Sequence, residues 1–165
     1  ECGHAYMAIR WDGPNLVGKA FSFNVVHILE VLDELRKAGK LKLKDKEGGS
    51  LTYHDPCQIA RRGGVLEQPR NLMREMSENF VEMPEAGQMN WCCGAGGGVS
   101  SNERADDLRI KVFNRKKSQL DSIKVDGMVS ACSNCRIHLE EGLEEYHMEL
   151  PVLSLTETIA EHLAD

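Results

Sequence analysis

Residues 90–98 of the chain read NWCCGAGGG, two adjacent cysteines followed by a run of small residues. Neighbouring residues of an extended strand point to opposite faces, so Cys92 and Cys93 can reach one target only from a turn or a tight loop. Glycine adopts positive φ angles without strain and lets the backbone approach a bound group closely. The stretch therefore predicts a tight loop that presents both sulfurs to the same object.

The composition of the 165 residues is that of a globular domain large enough to bury a core, with 41% hydrophobic and 28% charged residues. A formal net charge of −6 and the lack of a basic stripe argue against a nucleic-acid partner. No apolar run in the sequence approaches the roughly 20 residues that a membrane span requires. These observations favour a globular protein that acts on small molecules or on other proteins.

The chain opens with the residues ECGH, without an initiator methionine and without a secretory signal. We expect an N-terminal helical segment at residues 1–49, continuing from a truncated upstream region, and a second domain at residues 50–165. Six cysteines without a secretory signal favour a reducing, cytoplasmic compartment, where cysteines bind metal or act in catalysis rather than form bridges.

Hydrophobic periodicity predicts an α/β fold, with a mainly parallel open sheet of about four strands flanked by helices. Strands are expected at residues 51–54, 80–84, 127–131 and 151–155. Helices are expected at about residues 21–37 and 69–78, from a capping box at 100–103 to about 120, over 137–143, and from a second capping box at 154–157 to about 163. Residues 1–18 are expected to be irregular, because Gly13-Pro14 and Gly18 are turn signals.

The helix that follows the glycine-rich loop carries many basic residues. We expect one face of this helix to be solvated, or to dock a partner, and to hold Arg109, Lys111, Arg115, Lys116 and Lys117. This face is predicted to play no part in the core.

The cysteines other than Cys2 follow predicted strands or their adjoining loops. In open α/β sheets, ligands bind beyond the carboxyl ends of the strands. Three separate segments are therefore expected to bring five thiols to one edge of the sheet, on Cys57, Cys92, Cys93, Cys132 and Cys135. Helix N-termini after these loops would favour thiolates.

Three kinds of site use converging thiols. A structural zinc site needs four ligands, usually as two pairs with short spacing. Adjacent cysteines make a poor zinc knuckle, and a site built on the two pairs would not use Cys57. Iron–sulfur clusters are also held by thiolates. A redox dithiol at Cys132 and Cys135 is a third interpretation, although it ignores the other three sulfurs. The residues alone leave all three open.

The spacing of the cysteines resembles that of the cysteine-rich CCG domain: Cys57, 34 residues, Cys92-Cys93, 38 residues, and Cys132-x-x-Cys135. That domain occurs in heterodisulfide reductases and related iron–sulfur subunits. The flanks YHDPC at 53–57 and WCCGAGGG at 91–98 are most similar to the heterodisulfide-reductase-like branch, and within it to the DsrK type of the dissimilatory sulfur-metabolism membrane complex.

The resemblance implies an oxidoreductase acting on sulfur groups, with a noncubane [4Fe-4S] cluster held by the five cysteines. It implies a disulfide or trisulfide on a small partner protein such as DsrC as substrate. It further implies a haem-bearing membrane subunit that exchanges electrons and attaches the protein to the membrane. The alternative is a non-catalytic docking module with a structural zinc site, and zinc is also a possible substitute for iron in an expressed fragment.

Two residues carry candidate catalytic roles beside the cluster. Cys2 is either a substrate-facing thiol left from a preceding CCG region or an ordinary buried thiol. His54 lies three residues before Cys57 and either donates a hydrogen bond or proton at the cluster edge or simply packs at a strand end.

Overall fold

The fold is built on a parallel β-sheet. The structure is a computed structural model and describes residues 2–164. Within these residues, four strands pair in parallel in the order β2-β1-β3-β4, with the bounds β1 Glu47–His54, β2 Ser77–Phe80, β3 Gly127–Ser130 and β4 Val152–Ser154. The predicted α/β architecture, with a mainly parallel open sheet of about four strands flanked by helices, is confirmed.

Helices connect the strands and cover the sheet. Their bounds are α1 Gly3–Met7, α2 Gly13–Val17, α3 Ile28–Lys37, α4 Glu67–Met76, α5 Asp106–Asp121, α6 Ser133–Glu145 and α7 Leu155–Glu161. α3 and α7 contact α4, whereas α5 contacts α6. Because β1-α4-β2 and β3-α6-β4 run toward opposite edges with the same right-handed crossover, α4 and α6 lie on opposite faces. Over residues 2–164, none of the helices has both the length and the hydropathy that a membrane span needs.

The centre of the sheet carries the hydrophobic core. Residues 51–54 of β1 and the whole of β3 are buried, as is typical of parallel strands covered on both faces. The side chains that fill the space between sheet and helices include Tyr53, Leu72, Met73, Met128, Val129, Leu139 and Leu155. The two central strands therefore give a rigid base to the loops that leave their carboxyl ends.

The N-terminal segment differs from the sequence-based expectation. Residues 1–18 are predicted to be irregular, but α1, a π-helical turn at Ala8–Asp12 and α2 follow one another without a break. Gly13 keeps helical backbone angles and Pro14 lies at the start of α2, directly after the π-helical turn, so Gly13-Pro14 does not mark a turn. Gly18 ends α2 at φ +70°.

The start of α3 also differs, since the helix begins at Ile28 rather than near residue 21. The His27 side chain accepts a hydrogen bond from the Leu29 N–H (3.3 Å). In return, the Glu30 carboxylate accepts one from the His27 N–H (2.7 Å). This reciprocal cap satisfies two free backbone donors and fixes the first residue of the helix.

The start of α5 is later than its capping box predicts. Two short 3₁₀ turns at Val99–Ser101 and Glu103–Ala105 separate the glycine-rich loop from the helix. Asn102 caps the second turn by accepting a hydrogen bond from the Arg104 N–H (3.2 Å). The second predicted cap is found in part: the Ser154 hydroxyl accepts from the Glu157 N–H (3.2 Å) at the start of α7, while the Glu157 carboxylate pairs with Arg136.

The edges of the sheet show two further features. β2 lies at Ser77–Phe80 rather than at residues 80–84, because it begins directly after α4. The segment before β1 joins the C-terminal end of the chain through an antiparallel bridge between Leu43 and Leu163. The division into a segment 1–49 and a domain 50–165 stays a prediction.

Candidate metal centre

The strand order defines a switch point between β1 and β3, where the chain leaves the sheet toward opposite edges. This is the position at which open α/β sheets bind ligands. A small pocket, partly open to solvent, lies here and is lined by Gly3, His4, Pro56, Cys57, Gln58, Cys92, Cys93, Gly96, Cys132, Asn134 and Cys135. All five of the cysteines expected at this edge line the pocket, and all are free thiols.

Three loops deliver the five sulfurs. Cys57 comes three residues after the end of β1, and Cys132 is the N-cap residue of α6 just after β3. Cys92 and Cys93 lie on the glycine-rich loop that precedes α5. Gly94 continues that loop at φ +90°, with its Cα so close to α5 that an added Cβ would lie 3.1 Å from the Val112 side chain. A glycine is required there by both the backbone angle and the space.

The sulfurs lie close together and are shielded from solvent. The Sγ atoms of Cys93 and Cys135 are 3.2 Å apart. Cys93, Cys132 and Cys135 are buried, whereas Cys57 and Cys92 are partly exposed. The pocket therefore has a closed side, formed by the sheet, and a side that faces solvent.

Backbone amides point at several of these sulfurs. The Gly94 N–H donates to the Cys92 sulfur (3.4 Å). A hydrogen bond from Cys135, followed by backbone hydrogen bonds that include one from Gly3, lowers the pKa of Cys132 to about 6. Hydrogen bonds from Cys57 and Cys93 lower the pKa of Cys92 to about 2. Cys92 and Cys132 therefore ionise more readily than the other pocket cysteines.

The other three thiols hold their protons. The hydrogen bond to Cys92, together with burial, raises the pKa of Cys57. Despite a hydrogen bond from Cys135 that lowers it, the pKa of Cys93 is raised to about 12 by Cys92 and by burial. Hydrogen bonds to Cys132 and Cys93 raise the pKa of Cys135. Crowded sulfurs repel further negative charge, so ionising all five requires a cation among them.

His54 adds a non-sulfur group next to the buried sulfurs. Its side chain is 0% exposed, and neither ring nitrogen has a hydrogen-bond partner among the described residues. One ring nitrogen and the sulfurs of Cys93 and Cys135 lie within 4.8 Å of one another. Burial, helped by the nearby Lys116, holds the pKa of His54 well below 6.5, so the imidazole is neutral. A buried polar ring without a partner is costly unless a bound group satisfies it.

Cys2 does not line the pocket. It is exposed and forms the N-cap residue of α1, while its neighbour Gly3 lines the pocket and bonds to the Cys132 sulfur. Its candidate role as a substrate-facing thiol stays a prediction, and the alternative of a buried thiol is wrong because the residue is exposed.

A buried polar network supports the cysteine loops from behind. The Asp55 carboxylate is 0% exposed and accepts hydrogen bonds from both terminal nitrogens of Arg70 (3.0 and 2.8 Å) and from the Gly87 N–H (2.7 Å). The Asn90 side-chain amide donates to the Asp55 carbonyl (2.5 Å), which joins the loop before Cys57 to the loop before Cys92. No sequence motif indicates this network.

Lys116 completes the network. The prediction that Lys116 lies on an exposed basic face of α5 is wrong, because the residue is buried. Its side chain is 0% exposed, and its Nζ donates to the Asn90 Oδ1 (3.1 Å). A signal is present in the sequence: Lys116 lies three residues after Phe113 and four before Leu120, which are both buried. Arg109 is also largely covered, whereas Lys111 and Arg115 are exposed.

Residues 51–140 match the model of the CCG family, the cysteine-rich domain. The chain belongs to this family. The match runs from β1 into α6 and so contains the five pocket cysteines of this CCG domain. Nearness to the DsrK type within the family stays a prediction.

Three curated relatives of this CCG domain are named as oxidoreductases or as subunits of them. A subunit of the dihydromethanophenazine:CoB–CoM heterodisulfide reductase of Methanosarcina acetivorans is 35% identical over 98% of the chain and 39% of its own length. A subunit of the CoM/CoB fumarate reductase of Methanothermobacter marburgensis is 30% identical over 82% of the chain and 27% of its own length. A probable iron-sulfur-binding oxidoreductase, FadF of Bacillus subtilis, is 31% identical over 88% of the chain and 20% of its own length. The chain thus spans well under half of the length of these relatives.

Proposed function

We propose that this CCG domain is an iron–sulfur redox domain of a heterodisulfide-reductase-like oxidoreductase. The observation that carries the proposal is the meeting of five thiols, from three loops, in one pocket at the switch point of the sheet. The names of the relatives support the same class of function, since they include heterodisulfide reductase subunits and an iron-sulfur-binding oxidoreductase.

The donor set fits a thiolate-bound iron cluster better than zinc. Structural zinc sites take four ligands, and this pocket offers five sulfurs together with the unpartnered ring of His54. Soft thiolates are the ligands of iron–sulfur clusters. The ligands in this proposal are Cys57, Cys92, Cys93, Cys132 and Cys135, and the cluster is of the noncubane [4Fe-4S] type.

A bound cluster would supply single-electron steps, and the protein residues would position it and its substrate. The amides of Gly94 and Gly3 hydrogen-bond to sulfur, which stabilises thiolate ligands. Neutral His54 carries one N–H, and we assign this N–H as a hydrogen-bond donor to sulfur at the closed side of the pocket. Partly exposed Cys57 and Cys92 mark the side from which a substrate would approach.

The substrate in this proposal is a disulfide or trisulfide on a small partner protein of the DsrC type. Cleavage of a disulfide consumes two electrons and two protons and releases two thiols. Full reduction of a trisulfide consumes four electrons and four protons and releases two thiols and hydrogen sulfide, and oxidation runs each balance in reverse. A haem-bearing membrane subunit would exchange the electrons and hold the cytoplasmic protein at the membrane. Cys2, exposed beside the pocket, is proposed to face this substrate. Because the chain spans about 39% of the length of the Methanosarcina acetivorans relative, turnover is proposed for the whole protein and cluster binding for this domain.

Anaerobic reconstitution with iron and sulfide tests the proposal. We expect about four iron and four sulfide per chain, with an electron paramagnetic resonance signal in the oxidised form. Cys57→Ser should abolish this signal, whereas the matched control Cys2→Ser, at an exposed thiol outside the pocket, should keep it. Binding of a single zinc with no uptake of iron would instead support the structural zinc site of a docking module, as would a Cys57→Ser variant with unchanged metal content.

A further inference from the structure

Lys116 is a buried cation whose position the metal site does not by itself explain. Its side chain is completely buried on α5, where the exposed Lys111 and Arg115 face solvent. An ammonium group taken out of water is strongly destabilising unless negative charge and hydrogen bonds compensate it. The hydrogen bond that the structure gives Lys116 goes to the neutral Oδ1 of Asn90 (3.1 Å).

The carboxylates near Lys116 are already compensated by other groups. Asp55 accepts two hydrogen bonds from Arg70 and one from the Gly87 amide. Glu85 pairs with Arg115 and also accepts from Gln119 (2.7 Å).

The remaining groups that favour the charged form of Lys116 are the sulfurs of Cys93 and Cys135, which are thiols here and would become thiolates on binding a cluster. Burial lowers the pKa of Lys116 to about 8, while Asp55, Cys93, Glu85 and Cys135 oppose this shift, so the ammonium form predominates at pH 7. Cys93 and Cys135 are the two sulfurs that touch each other at 3.2 Å on the closed side of the pocket. The positive charge of Lys116 therefore acts on the two sulfurs at the closed side of the pocket, and its hydrogen bond to Asn90 ties it to the loop of Cys92 and Cys93.

The position of the ammonium is fixed through Asn90. The Asn90 amide nitrogen donates to the carbonyls of Asp55 (2.5 Å) and Trp91 (3.0 Å), which leaves its oxygen facing Lys116. Asn90 comes two residues before Cys92 on the same loop. Lys116 is therefore held at a set distance from the loop that carries two of the cysteines.

We propose that Lys116 is a positioning residue of the cluster: its buried charge compensates the sulfur-rich site and favours the reduced form. The inference rests on the proposed function. A cluster gains one negative charge with each electron it accepts, and a fixed cation nearby stabilises that charge most strongly where water is excluded. Removing the cation should therefore shift the midpoint potential to more negative values.

Two neutral variants and one control test this inference. Lys116→Met removes the charge and the hydrogen bond, whereas Lys116→Gln removes the charge but keeps a donor for Asn90. Lys111→Met removes the same charge from an exposed site on the same helix. Each reconstituted protein is titrated with dithionite and ferricyanide, and the midpoint potential is followed by electron paramagnetic resonance.

We expect both Lys116 variants to have more negative midpoint potentials than the wild type, and Lys111→Met to match the wild type. The inference would be overturned if Lys116→Gln had the midpoint potential of the wild type. The hydrogen bond to Asn90 would then be sufficient, and the charge of Lys116 would have no effect on the cluster. If both variants lose iron while circular dichroism shows that they remain folded, the result would support charge compensation. If both variants unfold, Lys116 is a structural residue and the inference is refuted. Absence of iron from the wild-type protein would refute the proposed function instead.

Discussion

The ion pair between Arg70 and Asp55 allows the strongest test of how the cysteine loops are supported. Arg70 lies on α4 and is 7% exposed, while Asp55 lies two residues before Cys57 and is 0% exposed. We consider Arg70→Met, which keeps an unbranched side chain but removes the charge and the donors. The change leaves a buried carboxylate with the Gly87 amide as its remaining partner among the described residues.

The magnitude follows from the two contacts that are lost. Each charge-assisted hydrogen bond of Arg70 to Asp55 contributes about 1.5–3 kcal/mol. Breaking one partner of a buried ion pair costs about 3–5 kcal/mol, because the other charge remains buried. We therefore expect Arg70→Met to lower the free energy of unfolding by about 3–5 kcal/mol. Glu82, the other carboxylate that pairs with Arg70, is partly exposed, so water can solvate its charge after the substitution.

Urea denaturation of the metal-free protein, followed by circular dichroism, measures this loss. The double variant Asp55→Asn/Arg70→Met serves as the control, because it removes both charges and should recover most of the stability. Arg115→Met, which removes an exposed ion pair with Glu85, should lower the stability far less, because water screens exposed charges. A loss below about 1 kcal/mol for Arg70→Met, or no recovery in the double variant, would refute the reasoning.

Two further variants test the glycine-rich loop and the join between the segment before β1 and the C-terminal end of the chain. Gly94→Ala should lower the iron content and destabilise the fold by about 1–3 kcal/mol, because an L-residue is strained at φ +90°. Gly48→Ala, at an exposed position with open space and without a positive φ, is the control, and equal effects would contradict this account. Hydrogen bonds that the protonated His162 ring donates to Asp45 and Glu47 raise its pKa above 6.5, so its contribution to stability is full below pH 6.5 and is lost as the pH rises through the raised value. Thermal unfolding of His162→Gln should thus differ from that of the wild type more at pH 5.5 than at pH 8.5, and a constant difference would contradict it.

The sheet could be predicted from the sequence because its signals are local. β1, β3 and β4 carry short apolar runs bounded by turns. β3 and β4 begin within two residues of their predicted starts, whereas β1 extends back to Glu47. Cys57 and Cys132 follow β1 and β3 within three residues, so these strand ends also place their sulfurs. Cys92 and Cys93 lie on the long loop after β2, and the glycines that follow them indicate a tight loop able to present both sulfurs.

Features that depend on tertiary contacts could not be predicted in this way. Lys116 has the composition of a surface residue, and its burial depends on Asn90 from a different loop. The pair of Asp55 and Arg70 joins a strand end to a helix, and although Asp55 belongs to the YHDPC flank, nothing in the sequence indicates that Arg70 is its partner. Gly13-Pro14 has the composition of a turn, although the first turn of a helix accommodates proline equally well.

The spread of the cysteines over three loops gives a bound metal a second consequence, which concerns folding. Joining Cys57 to the Cys92-Cys93 pair, and that pair to Cys132, closes two chain loops of roughly 35 to 40 residues. By analogy with a covalent cross-link, closing one such loop restricts the unfolded chain by about 3–4 kcal/mol. The metal would therefore act as a staple across β1, α5 and β3, and its loss on oxidation would loosen the centre of the sheet together with the redox site.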